Sequence, residues 1–213
     1  MESRARPIRR ATTSARDVRM TEDEILAEFR AADALLEGHF ILSSGLHSSR
    51  YLQCARVLMD PARAARLASA LARSLPIEIK SRIEMVVSPA MGGIIIGHEM
   101  GRSLGLEAVF VERPTGTFEL RRGFALKPGQ KVLLVEDVVT TGLSSKEAIK
   151  AVAEAGGEVI AAAALVDRSN GLADLGVPFF PLIRLDVPVY EPRNLPDALA
   201  AIPAEKPGSR KAA

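Results

Sequence analysis

Along the middle of the chain, short hydrophobic runs alternate with stretches whose apolar residues recur every three or four positions, the pattern of strands alternating with helices. Ahead of that region, Ile25, Leu26, Phe29, Ala32, Leu35 and Leu36 fall at helical spacing within residues 21–36. They follow Thr21-Glu22-Asp23-Glu24, which has the form of a capping box, so an amphipathic first helix is predicted. Gly38 to Ser49 breaks the period with glycines, histidines and serines, and Tyr51-Leu52-Gln53 resumes a strand-like run, which predicts a small polar hairpin. Asp60-Pro61 reads as the N-cap and first residue of a helix to about Ser74, with Ala64, Leu67, Ala68 and Leu71 inward and Leu75-Pro76 ending it. Strands are expected at Glu84–Ser88, Ala108–Val111, Val132–Val135, Glu158–Val166 and Phe179–Ile183. Helices are expected from about Ile94 to Leu104 and from Ser145 to Ala155, the second stopped by Gly156-Gly157. Val132–Val135, bounded upstream by Pro128-Gly129, is apolar throughout, the mark of a strand buried on both faces. The alternation from Glu84 to Ile183 predicts an α/β fold, a doubly wound and mostly parallel sheet, with residues 20–55 as a small N-terminal hood.

The 213 residues suffice for one domain with a sizeable core, and no internal repeat or long linker divides them. The division expected is a basic disordered extension at 1–19, a single domain at 20–202 and a flexible tail at 203–213. A net charge of +2 hints at a polyanion partner, but six arginines against Glu2 and Asp17 give residues 1–19 a net +4, leaving about −2 elsewhere. No nucleic-acid partner is therefore expected. Met20, directly ahead of the capping box, reads as the natural start. With no apolar stretch of about eighteen residues and no signal-type run, neither a membrane partner nor secretion is expected. The lone Cys54 excludes an intrachain disulfide and fits a cytoplasmic, reducing setting, and neither a zinc cluster nor a Cys–His nucleophile has spacing support.

The chemistry concentrates in Lys131 to Ser145, KVLLVEDVVTTGLSS, which passes from an apolar run to paired acids to hydroxyls around a glycine. Glu136 and Asp137 fall at the end of the expected strand, where open α/β sheets bind ligands. Adjacent acids there are costly unless they meet hydroxyls, a metal or a cation. Thr140, Thr141, Gly142, Leu143 and Ser144 form a turn into the next helix that can offer N–H groups and hydroxyls to a phosphate. The plainer alternative is an ordinary turn with Thr141 or Ser144 as N-cap. The run is neither a Walker loop, lacking Gly-Lys-Ser/Thr, nor a Rossmann fingerprint, lacking GxGxxG. Its order of strand, Glu-Asp, two aliphatics and Thr-Thr-Gly-x-Ser resembles the signature of the type I phosphoribosyltransferases. That resemblance implies that Glu136 and Asp137 hold the ribose hydroxyls of phosphoribosyl pyrophosphate. Val138, Val139, Thr140, Thr141, Gly142, Leu143 and Ser144 would complete the site around its 5′-phosphate.

A second stretch narrows the family: GHFILSSGLHS, from Gly38, followed by Tyr-Leu-Gln, resembles the base-binding hood of the orotate phosphoribosyltransferases. The resemblance implies Phe40 over a face of orotate, Ser44 and Gly45 in the loop that clamps it, and Thr140 and Arg168 as further base contacts. A buried structural pair is the alternative for Asp167-Arg168, and His39 and His47 read as hydrogen-bonded loop residues. Many members carry a lysine where Ser43 stands, and some where Gly92 stands. Pro89-Ala90-Met91-Gly92-Gly93 resembles the family's pyrophosphate loop, although tight helix–strand packing accounts for its glycines equally well. Glu112 to Phe124 resembles the catalytic loop but is short and lacks lysine and histidine. Arg113 is therefore the catalytic candidate beside Asp137, for charge on the departing pyrophosphate, while Arg121-Arg122 serve equally as a solvated hairpin rim. The implied activity is transfer of the phosphoribosyl group to orotate by a cytoplasmic homodimer, with Mg2+ carried by the phosphoribosyl pyrophosphate rather than by a protein metal site. Two other readings are a purine-base phosphoribosyltransferase and a regulator that senses the same sugar phosphate while binding nucleic acid. For the regulator, no DNA-reading segment precedes the domain.

Overall fold

The computed structural model describes residues 19–42 and 44–206. Most of the basic extension, Ser43 and residues 207–213 of the expected tail lie outside the described residues. Helix α1 (Glu22–Ala31) starts on its capping box: Thr21 Oγ1 accepts the Glu24 N–H at 3.3 Å, and Glu24 Oε2 accepts the Thr21 N–H at 2.7 Å. It ends earlier than its apolar period suggests. Asp33 takes a left-handed backbone, φ 48°, which turns the chain, so Leu35 and Leu36 enter strand β1 (Leu35–Ile41) instead of the helix. β1 pairs antiparallel with β2 (His47–Leu52), so strand structure runs through most of the polar segment and only the turn between them remains a loop. The short α2 (Cys54–Leu58), α3 (Pro61–Ser74) and the single turn α4 (Ile77–Lys80) follow. Asp60 Oδ1 caps α3 through the N–H groups of Ala62 at 2.9 Å and Arg63 at 3.2 Å, and Ala64, Leu67, Ala68 and Leu71 are buried as their spacing predicts.

The main sheet is built from β3 (Met85–Pro89), β4 (Ala108–Glu112), β5 (Glu119–Leu120), β6 (Lys131–Val139), β7 (Glu158–Asp167) and β8 (Phe179–Arg184). Helix α5 (Gly93–Leu104) links β3 to β4, and α6 (Leu143–Glu154) links β6 to β7. The strand order is β5-β4-β3-β6-β7-β8, parallel except at the β4–β5 hairpin. From β3 the chain winds outward to β4, then returns to β6 on the other side of β3 and winds outward again. The winding therefore reverses between β3 and β6. One core layer, under α1, α3 and α5, takes Phe29, Leu67, Ile96, Leu133 and Val135. The other, under α6, takes Val132, Leu134, Ala148 and Val152. Successive residues of β6 alternate between the two, as a strand covered on both faces requires. α5 lies close on β3, since a Cβ on Gly97 would stand 2.4 Å from Ser88 Oγ, so helix–strand packing does account for this helix's small residues.

The hood is not N-terminal alone. β9 (Val189–Tyr190) pairs antiparallel with β2, and α7 (Asp197–Ala200) buries Leu199 nearby. Beyond it the chain returns along β1, where the Ile41 N–H donates to Glu205 O and the Glu205 N–H to His39 O, both at 2.8 Å. The expected flexible tail is thus corrected as far as Glu205, because the open edge of β1 supplies a hydrogen-bonding partner.

Candidate active site

The reversal point between β3 and β6 is where an open α/β sheet leaves a crevice at its carboxyl edge, and the paired acids stand there. β6 continues through them to Val139 rather than stopping at Val135, so its alternation sends them to opposite faces. Glu136 turns toward α6 and accepts the Ser145 hydroxyl at 3.1 Å. Asp137 turns the other way, its carboxylate so close to the turn before α5 that a Cβ on Gly92 would stand 2.7 Å from Oδ2. The bare backbone of Gly92 makes room for that carboxylate, and any side chain there would displace it. Asp137 Oδ1 accepts the Val138 N–H at 2.9 Å, and the Cys54 thiol points at the Asp137 carbonyl at 3.8 Å. Burial pushes the pKa of Glu136 up to about 7. The Ser145 hydrogen bond opposes this, the Asp137 charge adds to it, and the Arg113 charge opposes it. Burial also raises Asp137, against the Val138 N–H. Cys54 is raised by burial and then by the Asp137 charge, with Arg168 opposing, so its thiol is inert and serves as packing beneath the acid.

Beyond β6, Gly142 is the N-cap of α6 in a left-handed conformation, φ 79°, with no side-chain cap. Neither Thr141 nor Ser144 is the N-cap residue. Thr140, Thr141, Leu143 and Ser144 are exposed, with Thr141 Oγ1 accepting the Leu143 N–H at 3.4 Å, so hydroxyls and a helix N-terminus stand together at the surface, an arrangement suited to a phosphate. Arg113, just after β4, reaches this turn: its guanidinium donates to Ser144 Oγ at 3.3 Å, pairs with Glu147, and lies 4.1 Å over the Phe118 ring. Arg121 and Arg122 instead both pair with Glu112, at 3.7 and 2.9 Å, and form the hairpin rim.

On the other side of the crevice Arg168 is partly buried with its Nε lacking a partner, and burial lowers its pKa. A buried donor without a partner is costly and is satisfied when a ligand brings an acceptor. Asp167, the last residue of β7, does not pair with Arg168, which lies just beyond the strand. It pairs with Arg184 at 3.4 Å and accepts the Ser169 N–H and hydroxyl at 2.8 and 2.6 Å. In the hood, Ser44 and Gly45 are exposed in the β1–β2 turn. Phe40 is 5% exposed, its ring tucked under Gly38 and 5.9 Å from Tyr51, so it supports the hairpin from inside. His39 Nδ1 donates to Ile202 O at 2.8 Å while its Nε2 faces His47 Nδ1 at 2.5 Å, so these histidines bind the hairpin to the returning chain. The structure thus gathers Arg113, the acids, Thr140 to Ser144 and Arg168 along one sheet edge, with Phe40, Ser44 and Gly45 on the separate hood sheet. The sequence pattern gave no sign of Ser145, Glu147, Cys54 or Arg184 as partners of these residues. Among the described residues no three His, Cys, Asp or Glu side chains gather as a metal site.

A phosphoribosyl transferase domain model matches residues 58–175. The chain is 78% identical over 193 residues to an orotate phosphoribosyltransferase of Rhizorhabdus wittichii, covering 91% of this chain and 98% of that one. It is 74% identical over 191 residues to an orotate phosphoribosyltransferase of Novosphingobium aromaticivorans, covering 90% and 98%. Among solved structures, it resembles the orotate phosphoribosyltransferase of Aeropyrum pernix with a TM-score of 0.64 and 28% identity, over 76% of this chain and 93% of that one.

Proposed function

This chain belongs to the phosphoribosyl transferase domain family and, within it, to the orotate phosphoribosyltransferases, and from that premise we infer the work of each element at the sheet edge. It transfers the phosphoribosyl group of phosphoribosyl pyrophosphate to orotate, giving orotidine 5′-phosphate and pyrophosphate. The observation that carries the assignment is the juxtaposition of an adjacent acid pair, Glu136 buried and Asp137 half-buried, with a helix N-terminus capped by a left-handed glycine at the point where the sheet's winding reverses. The α6 turn, Thr140 to Ser144, receives the 5′-phosphate. The acids divide their work, since Asp137 faces the crevice and takes the ribose hydroxyls, while Glu136 reaches the sugar from the α6 side and fixes that helix through Ser145.

Breaking the C1–O bond of the sugar builds positive charge on the ribose and negative charge on pyrophosphate, and N1 of orotate forms the new bond to C1 while its proton leaves to the departing pyrophosphate. No side-chain nucleophile is needed, so the protein acts by positioning and electrostatics. Orotate lies between Arg168, whose unpartnered Nε meets an acceptor on the base, and the backbone of the Ser44-Gly45 turn supported by Phe40, with the Thr140 hydroxyl at its edge. The crevice-facing Asp137 is a hard oxygen donor that suits magnesium. Carried on the substrate's phosphates, magnesium would supply positive charge to the leaving group, with Asp137 as the oxygen donor facing it. A cytoplasmic homodimer belongs to the same reading, on the strength of the family resemblance and of a lone, buried thiol suited to a reducing compartment. No described helix is long and apolar enough to cross a membrane.

The test is the fall in orotate ultraviolet absorbance with purified protein, phosphoribosyl pyrophosphate and magnesium, beside Asp137→Asn. Turnover that drops by roughly 100-fold or more in the variant is expected. Protein that binds phosphoribosyl pyrophosphate yet turns over a purine base and not orotate would defeat the base assignment.

A further inference from the structure

Arg113, Arg121 and Arg122 are each held by a carboxylate, but among the described residues no acid pairs with Arg168, and its Nε has no partner. No side-chain bond fixes this guanidinium, so its position follows from the backbone that carries it. That backbone is tied down on the strand side. Asp167 pairs with Val139 of β6 and Arg184 of β8, and the Arg168 N–H donates to Val139 O at 2.8 Å. Beyond Arg168 the chain leaves the sheet and turns through Asn170 and Gly171, with φ of 55° and 78°. Ser169 closes this turn onto Asp167. Its N–H and hydroxyl both donate to Asp167 Oδ1, at 2.8 and 2.6 Å, while its Oγ accepts the Ala173 N–H at 3.0 Å. We propose that Ser169, clasped to Asp167, is the positioning residue for Arg168 and thereby sets how tightly the crevice takes its base.

The burial of Asp167 gives the clasp its strength. The residue is 1% exposed, and a carboxylate enclosed this far needs donors. Arg184 approaches its other oxygen at 3.4 Å from a mostly exposed side chain, so the two Ser169 donors supply the closer compensation. The far end of the same segment is anchored separately. Leu175 is buried in the core layer under α6, and a Cβ on Gly142 would stand 2.6 Å from its Cδ2. Removing the Ser169 hydroxyl therefore frees the Arg168 end of the segment and leaves the end beside the α6 turn in place. The loss expected is confined to the base.

This inference rests on the reading of Arg168 as a contact of orotate, and its test separates the two. Steady-state turnover is measured for wild type, Ser169→Ala, Ser169→Thr, Arg168→Gln and the double variant Ser169→Ala with Arg168→Gln, varying orotate and phosphoribosyl pyrophosphate in turn. Ser169→Ala is expected to raise the orotate KM about 5- to 10-fold, the loss of one hydrogen bond, with kcat and the phosphoribosyl pyrophosphate KM within about twofold. Ser169→Thr keeps the hydroxyl and is expected to bring the orotate KM back to within about twofold of wild type. In the Arg168→Gln background, Ser169→Ala is expected to change the orotate kcat/KM by less than about twofold, because the side chain it positions is gone. An unchanged orotate KM in Ser169→Ala, an equal rise in both KM values, a Ser169→Thr variant no better than Ser169→Ala, or the same loss in the Arg168→Gln background would each overturn the proposal and leave Ser169 a structural hydrogen bond. Arg168→Gln with a wild-type orotate KM would instead overturn the base role of Arg168. Wild-type protein that turned over a purine base and not orotate would overturn the orotate reading itself.

Discussion

Replacing Glu136 by glutamine keeps the side-chain volume and an acceptor for the Ser145 hydroxyl while removing the ionisable group, so it isolates the cost of a charge at this position. Glu136 is 7% exposed, and burial lifts its pKa from an ordinary 4.5 to about 7. The folded protein therefore holds a proton that the unfolded chain has already lost. Stability from this group is complete below about pH 4.5, falls as pH rises toward about 7, and is level above that. At about 1.4 kcal/mol per pH unit, the ionised fold carries a penalty of about 3 kcal/mol. Glutamine never ionises, so at pH 8 the variant should melt higher than wild type by roughly 6–12 °C for a chain of this size. The gap should close below about pH 4.5, where Glu136 is protonated in both the folded and the unfolded chain. Asp137, also raised by burial, titrates in both proteins, and only its charge coupling to Glu136 enters the difference. The assay is thermal unfolding of the ligand-free proteins at several pH values across this range. Equal melting at pH 8, or a gap that does not depend on pH, would refute a buried acid held near neutrality. On the proposed reading turnover should fall even as stability rises, because the charge removed is one assigned to the ribose hydroxyls.

Two further outcomes follow from the same geometry. Gly142→Ala places a Cβ at φ 79° and 2.6 Å from Leu175 Cδ2, so urea unfolding should show a loss of about 1–3 kcal/mol and phosphoribosyl pyrophosphate should bind more weakly; unchanged stability would contradict the strained turn. Ending the chain at Ile202 removes the Glu205 hydrogen bonds to β1, and the orotate KM should rise about threefold or more while phosphoribosyl pyrophosphate affinity holds, as the loss of an edge partner loosens the Ser44-Gly45 turn; an unchanged KM would deny the returning chain any part in setting the hood.

Local pattern carried the fold a long way. The capping box of α1, the Asp60-Pro61 start of α3, the doubly buried run of β6 and the alternation of strands with helices all depend on residues a few positions apart, whose spacing alone fixes which face they occupy. The Glu-Asp and Thr-Thr-Gly-x-Ser signature marked the strand end and the turn into α6 for the same reason, since its chemistry lies in consecutive residues. Tertiary structure decided the rest. It set Arg113 against Glu147, 34 positions on, and gave Asp167 to Arg184 instead of Arg168. It also completed the hood with β9 and Glu205 and brought Gly92 up to the Asp137 carboxylate. Such pairings depend on where the backbone places strand ends and helix starts relative to one another. A charge or a glycine leaves no periodic trace of a partner that only the path of the chain brings within reach.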